Sequence, residues 1–268
     1  MSVKRSVRVW RVGPGLPRLR PGEPGGPEHV VIEETIAELV LNGRTLVRAG
    51  CLPDALEDFA LGFLASEGLI AGPEAVASLS VSPDSRRIEV RAAVEPDLLV
   101  AFRERLALST GCGRGASAAA ENLPQVASEA RFTPDDLLDR MKDMDAAAAL
   151  FRETGGVHAA AATDGRTLLA FAEDLGRHNA VDKVIGRCLR QKISLAGLAL
   201  LSTGRLSADI LAKAARAGVP VVVSRGAVTS LAIQLAGPAD IAAAGFARAR
   251  KMNVYTAPWR LGLAGRAP

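Results

Sequence analysis

Aromatic side chains are scarce in this chain: they make up 4% of its 268 residues, with a single Tyr. A stacking platform for single-stranded nucleic acid needs more of them, so nucleic acid is not an expected partner. Cysteines are few as well. Cys51, Cys112 and Cys188 cannot build a disulfide framework, which fits a reducing compartment. No apolar run approaches the roughly 18 residues that span a membrane, and the basic start MSVKRSVRVW lacks the apolar stretch of a signal peptide. A cytoplasmic protein with no membrane partner is expected. The G-x-x-x-x-G-K-[ST] phosphate loop is absent, and so is G-x-G-x-x-G after a strand. The H-x-E and P-C-x-x-C pattern of zinc deaminases is missing too. His158, His178 and Cys112 match no standard ligand spacing, so no metal site is expected.

What is present is a chain rich enough in apolar residues, at 49%, to bury a proper core. Its net charge of +4 and pI near 9.2 suit an anionic ligand, though only weakly. Four regions can be drawn. Residues 1–28 read as a flexible arm rich in Pro and Gly. Residues 29–108 form an α+β part, with a hairpin expected around Asn42-Gly43 and helices over Pro53–Leu69 and Pro96–Leu108. Residues 109–131 contain STGCGRGASAAA, which has no periodicity and reads as a mobile loop carrying Cys112. Residues 132–268 form an α/β ligand-binding domain, opening with a helix capped by Thr133 and begun by Pro134 that runs to about Phe151. There, strands alternate with helices, which predicts a mostly parallel sheet flanked by helices.

One run dominates the site reading: Glu173 to Gly186, EDLGRHNAVDKVIG. An apolar strand precedes it and helical spacing follows, so its polar residues fall where a strand ends and a helix begins, the edge at which open α/β sheets bind ligands. A solvated helix start capped by Asp174 would explain the pattern without any ligand. Against that, Arg177 opposes the helix dipole and calls for an anionic partner. His178 and Asp182, four apart, share a helix face, and His178 is expected to position a ligand through Asp182. Two further strand ends carry loops of the same kind: Ser202 to Ser207, with Gly204, Arg205 and Ser207, and Ser224 to Ser230, with Thr229. Free helix N–H groups beside Gly, Ser and Arg make anion sites; three side by side argue for a phosphate-rich ligand. After the last strand, Phe246-Ala247-Arg248-Ala249-Arg250-Lys251 brings three positive charges to the same edge, a clamp for phosphates with Phe246 packed beneath it.

Cys112 stands between glycines and close to Arg114. A thiol near positive charge has more thiolate and is a nucleophile. Cys51 and Cys188 lie in apolar surroundings and read as inert.

The chain carries, in order, Leu41-Asn42-Gly43, Gly62-Phe63-Leu64 with Ser66-Glu67-Gly68, Thr154-Gly155-Gly156-Val157-His158, the Glu173–Gly186 run, Gly204-Arg205-Leu206-Ser207, and Gly245-Phe246 with Asn253-Val254-Tyr255. Together these resemble the FdhD family of formate dehydrogenase accessory sulfurtransferases, over about residues 29 to 260. The resemblance implies a cytidine deaminase-like α/β fold and a homodimer. It implies that Cys112 receives sulfur as a persulfide from a cysteine desulfurase. It also implies delivery to the bis(guanine dinucleotide) molybdenum cofactor that formate dehydrogenase uses, with Phe246 to Lys251 matching the family's cofactor-contacting stretch. In the family the loop reads C-G-x-C-G. Here either Gly115 stands where the second cysteine would be or that cysteine is deleted, and in both alignments a two-cysteine relay is not available. A cofactor-binding chaperone that moves no sulfur is the alternative.

Overall fold

The first residues form a strand: β1 (Lys4–Arg8) pairs antiparallel with β2 (Glu28–Ile32). Part of the expected N-terminal arm is therefore sheet. The computed structural model describes residues 2–9, 28–109 and 123–264, so most of the expected arm and Cys112 lie outside the described residues.

Asn42 and Gly43 take positive φ, 50° and 79°, the geometry of a type I′ turn whose twist suits a hairpin. They join β3 (Thr35–Leu41) to β4 (Arg44–Cys51), and the Asn42 side chain ties this turn to the backbone N–H and C=O of Ala92. Strands β5 (Val76–Val81) and β6 (Arg87–Ala92) complete a four-stranded sheet in the order β4-β3-β6-β5. Helices α1 (Leu56–Ser66) and α2 (Pro96–Ser109) cover one face, through Phe59, Leu64 and Phe102.

Thr133 and Pro134 begin α3 (Pro134–Ala147) as the sequence predicts, with the Thr133 hydroxyl accepting from Asp136 N–H. This helix stops short of Phe151. A new one, α4 (Ala149–Thr154), starts because the Glu173 carboxylate accepts the N–H groups of Leu150 and Phe151 at 3.0 and 2.8 Å. A carboxylate at a helix start both caps it and suits its dipole.

The remaining elements are β7 (His158–Thr163), β8 (Leu168–Asp174), α5 (Arg177–Arg190), β9 (Ala199–Ser202), α6 (Ala208–Arg216), β10 (Val221–Ser224), α7 (Ser230–Ala236), β11 (Ala242–Arg248) and β12 (Lys251–Val254). Their sheet runs β12-β11-β10-β9-β7-β8. It is mixed rather than mostly parallel: parallel pairing is confined to β9 with β10 and β10 with β11, while β7 runs against both β8 and β9, and β12 against β11. The reason is loop length. The few residues between β7 and β8 allow a hairpin, whereas a parallel return needs a crossover of a dozen or more. Alternate residues of each strand face opposite layers. Ala160, Leu200, Val222 and Ala243 pack under α5, α6 and α7; Ala161, Leu201, Val223 and Ala244 pack against Leu137, Met141 and Met144 of α3.

Helix α5 touches the four-stranded half through α1. The crossing is backbone on backbone at Gly62 and Gly186, where an added Cβ would come within 1.8 Å of the Asp182 or Asp58 carbonyl oxygen. Beside it, the buried Asp58 carboxylate accepts from Arg187 at 3.0 Å and Arg190 at 2.7 Å. Residues 123–131, expected to belong to a mobile loop, are pinned over their second half. The fully buried Arg260 donates to the carbonyls of Val126, Ser128 and Ala130 and to Asp240, and Val126 N–H donates to Ala239. No helix among the described residues is long and apolar enough to cross a membrane.

Candidate functional site

Strands β8, β9, β10 and β11 all end at one edge of the sheet, and β7, running the other way, begins there with His158. The three polar loops expected at strand ends therefore meet, as their positions in the sequence imply. Two of them interlock. Ser202 Oγ accepts from Gly204 N–H, and Ser224 Oγ donates to the Gly204 carbonyl and accepts from Gly226 N–H. Leu206 and Thr229 extend the pairing: Leu206 N–H donates to Ala227 and Thr229 N–H to Leu206. Glycines make the approach possible. A Cβ on Gly204 would lie 2.6 Å from the Arg177 Cβ, and one on Gly226 would lie 3.2 Å from the Arg205 nitrogen.

The structure splits the Glu173–Gly186 run into two jobs. Most of it is structural. Asp174 is fully buried; it accepts from Leu52 N–H, Asn179 Nδ2 and Gly176 N–H and pairs with Lys183 at 2.7 Å. Lys183 also reaches Asp54, and Asn179 also donates to the Gly50 carbonyl. These contacts dock the β4–α1 connection on α5. Asp182 does not serve His178 as expected. It accepts from Ser66 at 2.7 Å and from Lys213 at 2.9 Å, one turn farther into the interior, and Lys213 reaches Glu67 as well. Burial pushes Asp182 up to about 6 against the pull of Lys213, and Lys213 stays charged because Asp182 and Glu67 outweigh its burial.

Arg177 and His178 are the residues of the run left at the edge. The His178 Nε2 is 3.9 Å from Asp209 on α6, too long for a hydrogen bond. Burial, then Arg177 and Lys213, bring its pKa down to about 4, so the ring is neutral at physiological pH. Arg177 is held below the usual guanidinium value by burial and by the like charge of Arg205, with Asp209 opposing them. Two cations thus face one carboxylate. Ser207 occupies the N-cap position of α6 but its hydroxyl makes no cap bond, whereas Thr229 caps α7 by accepting from Ala232 N–H. Arg225, on the neighbouring loop, is matched by Asp145 at 3.0 Å.

The last stretch divides. Phe246, with φ of 53° and partly exposed, donates its N–H to the Gly226 carbonyl and so belongs to the edge. Ala247 is buried. Ala249 and Arg250 form the tight turn between β11 and β12, where Arg248 pairs with Lys251 across the hairpin. Arg250 is drawn toward Asp135 and Asp139 of α3, at 3.5 and 3.6 Å. His158 matches no metal-ligand spacing and is not part of the polar loops expected at the strand ends. It stands at the same edge, its Nδ1 3.3 Å from Thr203 Oγ1, with its pKa lowered by burial and by Arg177. The antiparallel β7 brings it there, and spacing alone gave no sign of that reversal.

Comparison with known proteins adds four findings. The model of the FdhD/NarQ family matches residues 32–262. The sulfur carrier protein FdhD of Bacillus subtilis (strain 168) is 35% identical over 250 residues, covering 91% of this chain and 95% of that protein. The protein of the same name from Shouchella clausii is 34% identical over 269 residues, 98% of each. Among solved structures, a formate dehydrogenase accessory protein from Desulfotalea psychrophila superposes with a TM-score of 0.75 at 26% identity, covering 97% of this chain and all of that one.

Proposed function

The chain belongs to the FdhD/NarQ family, and on that premise we propose that it is a sulfur carrier. It takes persulfide sulfur from a cysteine desulfurase and delivers it to the bis(guanine dinucleotide) molybdenum cofactor on which formate dehydrogenase depends. It works in the cytoplasm, as a homodimer, on a cofactor that is its cargo.

The observation that carries this reading is the state of the other cysteines. The chain has three. Cys51 and Cys188 are both buried and free. Burial pushes the Cys51 thiol up to about 12 and the Cys188 thiol up to about 11. The thiolate is the nucleophile, so neither attacks at neutral pH. That leaves Cys112, between Gly111 and Gly113 and two residues from Arg114. In the loading step the Cys112 thiolate attacks the outer sulfur of the donor persulfide. The donor's S–S bond breaks, its cysteine leaves as thiolate, and Cys112 ends as a persulfide. The sheet edge, with Arg177 and Arg205 facing one carboxylate, fits a phosphate-bearing cargo. The second reading, a chaperone that binds cofactor without moving sulfur, is favoured by Gly115 in place of a second cysteine.

Limiting alkylation of the native protein tests the premise. Cys112 should be modified at least about tenfold faster than either other thiol, given the thiolate fractions involved. Labelling of Cys51 or Cys188 first, in protein that remains folded, would remove the physical basis of the assignment.

A further inference from the structure

A strand at the edge of a sheet presents unpaired N–H and C=O groups, and proteins guard such edges with charge, proline or a covering element. The edge strands of the two larger sheets are β4, β5, β8 and β12. All but β5 are guarded. β4 carries Arg44 and Arg48, and α5 covers its far end, where Asn179 donates to the Gly50 carbonyl and Asp174 accepts from Leu52 N–H. β8 ends in Glu173 and Asp174, and Arg187 donates to its Phe171 carbonyl at 2.6 Å. β12 is short and opens with Lys251. In contrast β5, Val76-Ala77-Ser78-Leu79-Ser80-Val81, has no charge and no proline, and Ala77, Ser78 and Ser80 are exposed.

The backbone direction of β5 is fixed by its neighbours. Ser82 N–H donates to the Arg87 carbonyl, whereas the Arg86 and Val90 carbonyls turn the other way, to Glu38 and Asn42. In an antiparallel ladder the direction alternates with each residue. Ser80 therefore faces β6, and Leu79 and Val81 turn their N–H and C=O groups outward. The regular part of the strand is bounded by the register shift between Val76 and Ser78 and by the turn in which Ser85 N–H donates to Ser82. Its midpoint is Ser80.

The geometry points to β5 as the seam on which a second copy of this chain docks, antiparallel, with the two-fold axis at Ser80. The inference rests on the homodimer reading above and gives it a surface. A two-fold axis makes a patch its own complement: Leu79 of each copy meets Val81 of the other, the outward groups of both are satisfied, and the sheet runs on through both copies. Charge favours the same arrangement. Glu74, exposed, precedes the strand, and Arg86, exposed, follows its turn. Antiparallel pairing brings Glu74 of each copy toward Arg86 of the other at both ends, whereas parallel pairing would set like against like. The Asp84 carboxylate at that turn is engaged by the Ser82 hydroxyl and Arg86 N–H.

The test is crosslinking of the whole chain, in a Cys112→Ala background, with oxidised glutathione as the oxidant. Residues facing each other in a non-hydrogen-bonded antiparallel pair have Cα atoms about 4.5 Å apart, within the span of a disulfide. Ser80→Cys should therefore give a disulfide-linked dimer. Ser78→Cys, equally exposed, should not, because its two copies would lie about 13 Å apart at 3.3 Å per residue. Glu74→Arg and Arg86→Glu should each raise the dimer dissociation constant about two- to tenfold, the scale of cross-strand charge pairs acting at both ends. The two together should restore it, a recovery that misfolding cannot imitate. No crosslink at position 80, equal crosslinking at 78 and 80, or a double variant no tighter than the singles would overturn the seam. Light scattering keeps the failures apart. A dimer that does not crosslink at position 80 loses the seam and keeps the homodimer; a monomer at every concentration loses both. Neither outcome touches sulfur loading on Cys112.

Discussion

Gly62→Ala and Gly186→Ala should each cost at least about 3 kcal/mol of stability, the upper end of what overpacking a core does. The two glycines face each other where α1 crosses α5. A Cβ at position 62 would lie 1.8 Å from the Asp182 carbonyl oxygen and 2.7 Å from the Gly186 nitrogen; one at 186 would lie 1.8 Å from the Asp58 carbonyl oxygen. Backbone cannot rotate out of the way as a side chain can. The helices would have to part, and the contacts flanking the crossing would part with them. Those are Asp58 with Arg187 and Arg190, Ser66 with Asp182, and Leu52 N–H with Asp174. Gly197→Ala is the matched control, since an added Cβ there meets nothing within 4 Å. Urea titration of all three variants checks this. A loss under about 1 kcal/mol at either crossing position, below the usual cost of overpacking, would mean that the helices sit farther apart than described.

Lys213→Ala should be nearly as damaging, and its cost should depend on pH. Lys213 is the cation of a buried cluster in which Asp182, Glu67 and Ser66 all approach it within 3.0 Å. Removing one partner of a buried pair strands the other and costs about 3–5 kcal/mol. The sign of the pH effect follows from Asp182. Its folded value, near 6, already exceeds its ordinary 3.8 because burial disfavours the charge. A raised folded value contributes stability below the unfolded value, and that contribution is lost as pH rises through the folded one. Without Lys213 the folded value climbs further, so the stranded carboxylate takes up a proton more readily. The loss measured at pH 8 should therefore shrink at pH 5.5. Equal losses at the two pH values would show that the damage comes from the lost packing of the Lys213 stem and its cation–π contact with Phe63 at 5.0 Å, and not from the stranded Asp182 charge.

Local chemistry made much of this fold legible. Asn42-Gly43 announced a hairpin because both residues tolerate positive φ, and Thr133-Pro134 announced a helix start because one caps and the other cannot donate. The three polar strand ends were readable because strand and helix periodicities switch on either side of each. What sequence could not give is what chain-distant partners decide. Glu173 starts α4 from across the sheet, which no feature of residues 145–151 reveals. Gly62 and Gly186 are ordinary glycines until two helices meet at them. In the Glu173–Gly186 run, polar residues look alike from sequence. Asp174, Asn179, Asp182 and Lys183 turn inward to hold the halves together, and only Arg177 and His178 stay at the edge. The pairing expected between His178 and Asp182 used their shared helix face, but Lys213, 31 residues on, claims the aspartate.

Sulfur loading on Cys112 can be read by intact-mass analysis after incubation with a cysteine desulfurase and free cysteine. Wild type should gain the mass of one sulfur atom, removable by a thiol reductant, while Cys112→Ala gains none and Cys51→Ala and Cys188→Ala load as wild type does. A wild type that gains no sulfur, or a Cys112→Ala protein that still gains it, would contradict the account.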